Sequence, residues 1–323
     1  MPISRVPYAK ELEQPLDDFL ALVERVPLLP ETILENREIF ASILQPVEQA
    51  AAGRAVSLQD FTVPGPPDAP EVTVTVVRPS VTTPGGGPGM LQIHGGGYVL
   101  GTRFFGIEEL IRLAEQRGVT GVSVEYRLAP EHRFPAAAED CYAALVWMAD
   151  NAAELGIDPS RLLVGGVSAG GGLSAAVALM ARDRGYPRLV GQYLGAPMLD
   201  DRDSTVSTHQ YDGIGAWRRR NNITGWDAAL GELRGTDAVS AYQAPARAAD
   251  LAGLPPAYID VGSAELFRDE AVQYASRMWA AGSNAELHVW AGGFHGFAGF
   301  APKTRIAAAA NAAYESWLDR ILG

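Results

Sequence analysis

The stretch Gly165-Gly166-Val167-Ser168-Ala169-Gly170-Gly171-Gly172 leaves this chain few options. The short apolar run Leu162-Leu163-Val164 precedes it, and a run of small and apolar residues, Leu173 to Met180, follows it. An extended segment feeding directly into a helical one needs a sharp turn between the two. Bulk beside that turn would strike neighbouring backbone, and glycine tolerates the unusual dihedrals such turns require. A serine at the apex of Gly-x-Ser-x-Gly, between a strand and a helix, reads as a nucleophile elbow. Glycine and serine are common in loops, so the strand–turn–helix setting carries the signal. The rest of the chain must then supply a base, an acid and an oxyanion hole.

Composition narrows the setting. A chain of 323 residues with 47% hydrophobic content can bury the core of one α/β domain, with or without a small accessory unit. A net charge of −12 argues against a nucleic-acid surface or an anionic membrane surface as partner. The one basic run, Arg218-Arg219-Arg220, is too short to reverse that and is expected on a solvated face. A single cysteine, Cys141, excludes an internal disulfide, and its neighbours Tyr142, Ala143, Ala144 and Leu145 place it on a helix as a small buried hydrophobe. The N-terminal stretch carries Arg5, Lys10, Glu11 and Glu13 without an apolar core of the secretory type, so a cytoplasmic location is expected. Leu162 to Ala181 is long and uncharged, yet the glycine-rich turn in its middle argues for a buried strand and a buried helix instead of a membrane span.

Periodicity gives the organisation. Residues 1–50 read as helical, with Leu16, Phe19, Leu20 and Val23 at helical spacing, a break at Pro27 and Pro30, and a second helix from Glu31 to Leu44. Ala55 to Val63 and Glu71 to Val77 read as an antiparallel pair at a sheet edge, and Pro84 to Gly89 as a surface loop. From Met90 the chain alternates apolar runs with helical ones. The runs are Met90 to Ile93, Val119 to Glu125, Leu162 to Gly165, Leu189 to Leu194, Ala257 to Val261 and Glu286 to Trp290. The helices between them are predicted near Glu108 to Arg117, Ala136 to Leu155, Ser168 to Arg184, Arg268 to Ala281 and Ile306 to Leu322. This order predicts an α/β fold of the α/β-hydrolase kind: a mostly parallel eight-stranded sheet with helices on both faces. The sixty-odd residues between Leu194 and Ala257 are too many for a plain connection. Residues 51–323 are therefore expected to form the main domain, with an insertion at about 200–242 that joins the N-terminal helices as a helical cap.

The candidate chemistry follows from chain order. Serine is a weak nucleophile unless a base lies within hydrogen-bond reach. In a fold of this kind the order is serine, acid, histidine. Of five histidines, only His288 and His295 come late enough, and only His295, in Gly292-Gly293-Phe294-His295-Gly296, lies on a loop after the last strand. The acid belongs after the strand Ala257 to Val261, where Asp260, Glu265, Asp269 and Glu270 are candidates. Asp260 sits within the strand, and Asp269 and Glu270 look like first-turn helix acids. Glu265, on the intervening loop, is best placed to orient His295. The glycines of His94-Gly95-Gly96-Gly97, directly after a strand, let backbone N–H groups point into a site. The amides of Gly95, Gly96 and Ala169 are the expected oxyanion hole, with His94 bracing the loop.

Four segments carry a resemblance: Ile93-His94-Gly95-Gly96-Gly97-Tyr98; Tyr126-Arg127-Leu128-Ala129-Pro130-Glu131-His132-Arg133-Phe134-Pro135-Ala136; Gly166-Val167-Ser168-Ala169-Gly170-Gly171; and Phe294-His295-Gly296-Phe297. From about residue 70 to the C-terminus the chain resembles the hormone-sensitive-lipase-like α/β-hydrolases, the bacterial family IV esterases. The resemblance implies hydrolysis of short- to medium-chain acyl esters, a helical cap, a supporting role for Tyr126 to Pro135, and in some relatives a homodimer. Glu265-Leu266-Phe267-Arg268-Asp269-Glu270 aligns without a gap on the family's Asp-Pro-Leu-Arg-Asp-Glu-like run and puts glutamate on the acid position. Val167 stands where the family has aspartate or threonine, so a polar contact beside the serine is lost.

The expected activity is that of a carboxylesterase. Ser168 attacks, His295 serves as base and then acid, Glu265 orients His295, and Tyr98 and Trp217 line the substrate pocket. No metal or organic cofactor is implied, and the partner is a small-molecule ester. Lactone and amide hydrolysis by the same machinery remain open, as does a binding role of the kind found in hormone receptors of this fold that lack the histidine.

Overall fold

The computed structural model describes residues 4–81 and 83–323. The first three residues of the predicted N-terminal helical segment lie outside them. Eight strands form one sheet: β1 (Val56–Val63), β2 (Val72–Pro79), β3 (Gly87–Ile93), β4 (Thr120–Glu125), β5 (Ile157–Val167), β6 (Gly191–Gly195), β7 (Ala257–Gly262) and β8 (Ala285–Trp290). Their spatial order is β1-β2-β4-β3-β5-β6-β7-β8. β2 runs antiparallel to both β1 and β4, and every other pair is parallel.

Strand alternation divides the core. Leu91 and Ile93 of β3, Val122 and Val124 of β4, and Leu162 and Val164 of β5 face the larger core, where the helices Ala136–Asp150, Ala169–Arg184 and Arg268–Ala280 pack. Met90 and Leu163 point the other way, toward the helices Ile107–Arg117 and Arg305–Leu322. Leu91, Val122, Val124, Leu162 and Val164 are fully buried, and truncating either leucine to alanine costs about 2–5 kcal/mol. Cys141 is buried in the larger core. The uncharged stretch Leu162 to Ala181 is split between β5 and the helix Ala169–Arg184. Among the described residues, no helix is long and apolar enough to cross a membrane.

Local boundaries depart from the sequence expectation in three places. β3 begins at Gly87 and β5 at Ile157, because those two residues already pair across the sheet. A side chain at Gly89 would fall 2.8 Å from Ile157 Cγ2, so the glycines there serve close packing within a strand as well as the turn before it. The helix predicted from Ala136 to Leu155 breaks at Asn151, whose Nδ2 donates to the Trp147 carbonyl at 2.9 Å and competes with the helical pattern. The basic run is not simply solvated: Arg218 pairs with Glu24 and Arg219 with Asp203, leaving Arg220 exposed.

The N-terminal segment holds helices Lys10–Val23, Ile33–Ile43 and Val47–Ala51, and the segment after β6 holds Val206–Gln210 and Arg219–Leu230. Leu12 and Leu16 pack against Phe294 and Phe297. The amide of Ala9 donates to the Gly292 carbonyl at 3.0 Å.

Candidate active site

The C-terminal ends of β3, β5, β7 and β8 open onto the same edge of the sheet, and each delivers one predicted element of the site. β3 and β5 are neighbours, with Ile93 opposite Gly166, so the loop after one stands beside the turn after the other.

Ser168 sits at that turn with φ 64° and ψ −123°, a conformation that costs a non-glycine residue about 1–3 kcal/mol. Three hydrogen bonds hold it there. Its amide donates to the Gly195 carbonyl at 2.7 Å, and its carbonyl accepts from the amides of Gly172 and Met198, both at 3.0 Å. The helix that starts at Ala169 lies so close to β3 that a side chain at Gly170 would overlap the Ile93 carbonyl. That contact explains the glycine run after the serine.

The loop after β3 lies against the elbow. A methyl group on Gly95 would come within 3.5 Å of Ser168 Cβ. The Gly96 carbonyl accepts from the amides of Val99 and Leu100 at 3.1 and 2.9 Å. His94 is buried, stacked on Tyr126 with ring centroids 4.1 Å apart, and its Nδ1 lies 2.8 Å from the Gly95 carbonyl. Burial pushes its imidazole down to about 4, so it is neutral at ordinary pH. The Tyr126 hydroxyl donates to the His94 carbonyl at 2.9 Å, and Asp140 anchors the Arg127 guanidinium at 2.7 and 2.8 Å. The segment Tyr126 to Pro135 thus supports the glycine loop from beneath.

Glu265 and His295 are brought together by stitching between their loops. Ser263 N donates to the Trp290 carbonyl at 2.8 Å, Ala264 N to the Gly293 carbonyl at 3.0 Å, and Gly292 N to Ser263 Oγ at 2.8 Å. Glu265 Oε2 accepts the Phe267 amide at 2.7 Å and lies 3.4 Å from His295 Nδ1. That separation is longer than a full hydrogen bond, and both Glu265 Oε1 and His295 Nδ1 lack a bonded partner among the described residues. The Phe267 ring meets the His295 imidazole edge-on at 5.2 Å. The competing carboxylates are engaged elsewhere. Asp269 accepts the Ser207 amide at 2.7 Å and pairs with Arg268, while Asp260 lies on β7 opposite His288 of β8.

Trp217 covers the glycine loop. A side chain at Gly97, whose φ is +60°, would overlap the six-membered ring of Trp217. Tyr98 is only 2% exposed. Its hydroxyl donates to the Met198 carbonyl at 3.0 Å, and its ring packs 5.0 Å from those of Phe134 and Trp226. Tyr98 therefore lies behind the loop, while Trp217 lies over it. Val167 is 36% exposed, and its Cγ2 lies against Gly195.

Sequence reasoning missed Arg37. Its Nε donates to the Val99 carbonyl and one terminal nitrogen to the Ala129 carbonyl, both at 2.7 Å, and its guanidinium forks onto Glu131 at 2.8 Å. It locks an N-terminal helix to the glycine loop and to the segment beneath it. Two of its partners are backbone carbonyls, which no residue pattern announces.

Residues 90–299 match the family described as the α/β hydrolase fold. The chain belongs to the α/β-hydrolase family. This α/β-hydrolase is 37% identical over 250 residues to the carboxylesterase NlhH of Mycobacterium tuberculosis H37Rv, covering 73% of the chain and 74% of the relative. It is 31% identical over 234 residues to an ethyl acetate hydrolase of Pseudomonas putida, with 71% and 72% covered. Among solved structures it is similar to a bacterial heroin esterase, with a TM-score of 0.87, 38% identity, and 95% of this chain and 98% of that one covered. The α/β-hydrolase is thereby a carboxylic-ester hydrolase of the hormone-sensitive-lipase-like group.

Proposed function

We propose that this ester hydrolase works through an acyl-enzyme on Ser168. His295 removes the Ser168 hydroxyl proton as Oγ attacks the ester carbonyl, then gives that proton to the departing alcohol. Glu265 holds the imidazole in the tautomer that leaves Nε2 free to accept, and stabilises its cation. The amides of Gly95, Gly96 and Ala169 receive the charge that develops on the carbonyl oxygen. Water, activated by the same histidine, releases the acid. The observation that carries this reading is the Glu265–His295 pair, delivered to the same sheet edge as the strained serine. No step calls on a metal or an organic cofactor.

The N-terminal helices and residues 200–242 form the cap in this reading, supported by the Arg37 contacts and by Trp217 over Gly97. Trp217 walls the acyl pocket, with Tyr98 stiffening the loop behind it. Likeness to an ethyl acetate hydrolase supports short- to medium-chain acyl esters as substrates. β8, a terminal strand of the sheet, is the edge at which a homodimer would pair. The buried lone thiol of Cys141 fits a cytoplasmic setting.

The test compares wild type with Ser168→Ala on p-nitrophenyl esters of increasing acyl length. The variant should lose at least about a thousandfold in kcat, and wild type should favour the shorter chains. Equal rates for the two proteins would overturn the assignment.

A further inference from the structure

Glu270 is a buried carboxyl that the chemistry leaves unused and, unlike Asp140, Asp200, Asp201 and Asp203, it has no arginine paired to it among the described residues. It lies in the first turn of the helix Arg268–Ala280, five residues after Glu265, and is 3% exposed. A carboxyl so placed loses its hydration, which pushes its pKa well above the usual range. Asp200 and Glu265 add to that push. Space alone does not call for such a group, since a cavity of about 280 Å³ adjoins it, lined also by Arg202, Gln273, Tyr274 and Arg277.

What Glu270 does hold is a backbone amide. Its Oε1 accepts from Leu199 N at 2.7 Å. The preceding residue, Met198, is the hub of the elbow. Its amide donates to the Ser168 carbonyl at 3.0 Å, and its carbonyl accepts the Tyr98 hydroxyl at 3.0 Å. A side chain at Gly172 would overlap that same carbonyl, so the Met198 backbone lies directly on the helix that follows the serine. Tyr98 in turn continues Gly95-Gly96-Gly97, and its own carbonyl accepts the Ala129 amide at 3.0 Å. One carboxyl oxygen therefore links the helix that follows the acid loop to the backbone that fixes both Ser168 and the glycine loop.

We propose that Glu270 is a positioning residue: through the Leu199 amide it sets the spacing of Ser168 and the oxyanion loop relative to the acid–histidine pair. The inference rests on Ser168 being the nucleophile. It requires that the acceptor oxygen matter more than the negative charge, because the bond is made to a neutral amide. It also requires that the effect fall on the chemical step, since Glu270 lies behind the site.

Three variants separate these requirements. Glu270→Gln keeps the acceptor and the side-chain length. Glu270→Met keeps the length and loses the acceptor. Glu270→Asp keeps the carboxyl and withdraws it by one methylene. On p-nitrophenyl butyrate, Glu270→Met and Glu270→Asp should lower kcat about tenfold or more with KM within twofold of wild type. Phosphonylation of Ser168 by a p-nitrophenyl phosphonate should slow by the same factor, and Glu270→Gln should stay within threefold of wild type in both assays. If Glu270→Met does not fold, Glu270→Asp carries the comparison. Folded Met and Asp variants with unchanged kcat overturn the proposal, as does a Gln variant as slow as the other two. Failure of the nucleophile assignment reads out separately, as a Ser168→Ala protein that keeps wild-type turnover.

Discussion

Glu265 reaches His295 from a loop hydrogen-bonded at three points to the histidine's own loop, and it stops 3.4 Å short of Nδ1. The backbone sets the approach, and the carboxylate faces the ring. Glu265→Gln should lower kcat by about a thousandfold or more while far-UV circular dichroism stays unchanged, since a neutral amide cannot stabilise the imidazolium. Asp260→Asn and Asp269→Asn should stay within tenfold of wild type. Loss of turnover in either of those, with Glu265→Gln active, would move the acid elsewhere.

Gly97 and Trp217 form the second test. Gly97→Ala places a side chain at φ +60°, which costs about 1–2 kcal/mol for an L-residue, and pushes that side chain into the indole. The variant should melt at lower temperature and lose at least tenfold in kcat/KM. Adding Trp217→Ala removes the clash but not the backbone cost, so the double variant should recover part of the stability. Trp217→Ala alone should raise the ratio of octanoate to butyrate kcat/KM. A thermal melt of all four proteins and an acyl-length series check these outcomes, and an unaltered chain-length ratio would remove Trp217 from the acyl pocket.

His94 makes stability depend on acidity. Its folded pKa, about 4, is depressed below the ordinary histidine value by burial. The unfolded chain therefore binds a proton that the native protein refuses. Stability from this group is whole above about pH 6.5 and is lost as pH falls from there through 4. Between pH 7 and pH 5 the loss is roughly 2 kcal/mol. Asp260, pushed up to about 7 by burial, works in the opposite sense, binding its proton more readily when folded. It is common to wild type and His94→Asn and cancels in their difference. Urea unfolding at the two pH values should show wild type losing about that much more stability than His94→Asn. Parallel pH profiles would contradict the neutral assignment of His94.

The fold was legible where short apolar runs, buried on both faces of the sheet, alternate with helical ones. The runs around Leu91, Val122 and Leu162 named the strands, and the glycines after Val164 marked the turn. The beginnings of β3 and β5 were not, because Gly87, Asp158 and Pro159 are ordinary loop residues and only the pairing of Gly87 with Ile157 extends the strands. Chain order and loop position singled out Ser168, Glu265 and His295 without reference to space. Arg37 left no mark in the sequence, and Glu270 stood there only as one of four candidate acids, not as the partner of a backbone amide. Both act on backbone groups of segments distant in sequence, at Val99 and Ala129 for one and Leu199 for the other. A pattern of side chains carries no trace of such a contact. The position of Tyr98 after Gly97 predicts a pocket-lining ring, whereas the structure packs that ring against Phe134 and Trp226 from a left-handed backbone with φ 67°.

The N-terminal helix finds its partners at the other end of the chain. Leu12 and Leu16 are covered by Phe294 and Phe297, and Ala9 binds the Gly292 carbonyl. During synthesis this helix leaves the ribosome well before the surface that shields it. Until residue 297 has emerged, the two leucines face water or some temporary companion. The nascent protein therefore packs this helix only after residues 294–297 have been made, a contact of large sequence separation of the kind that slows folding.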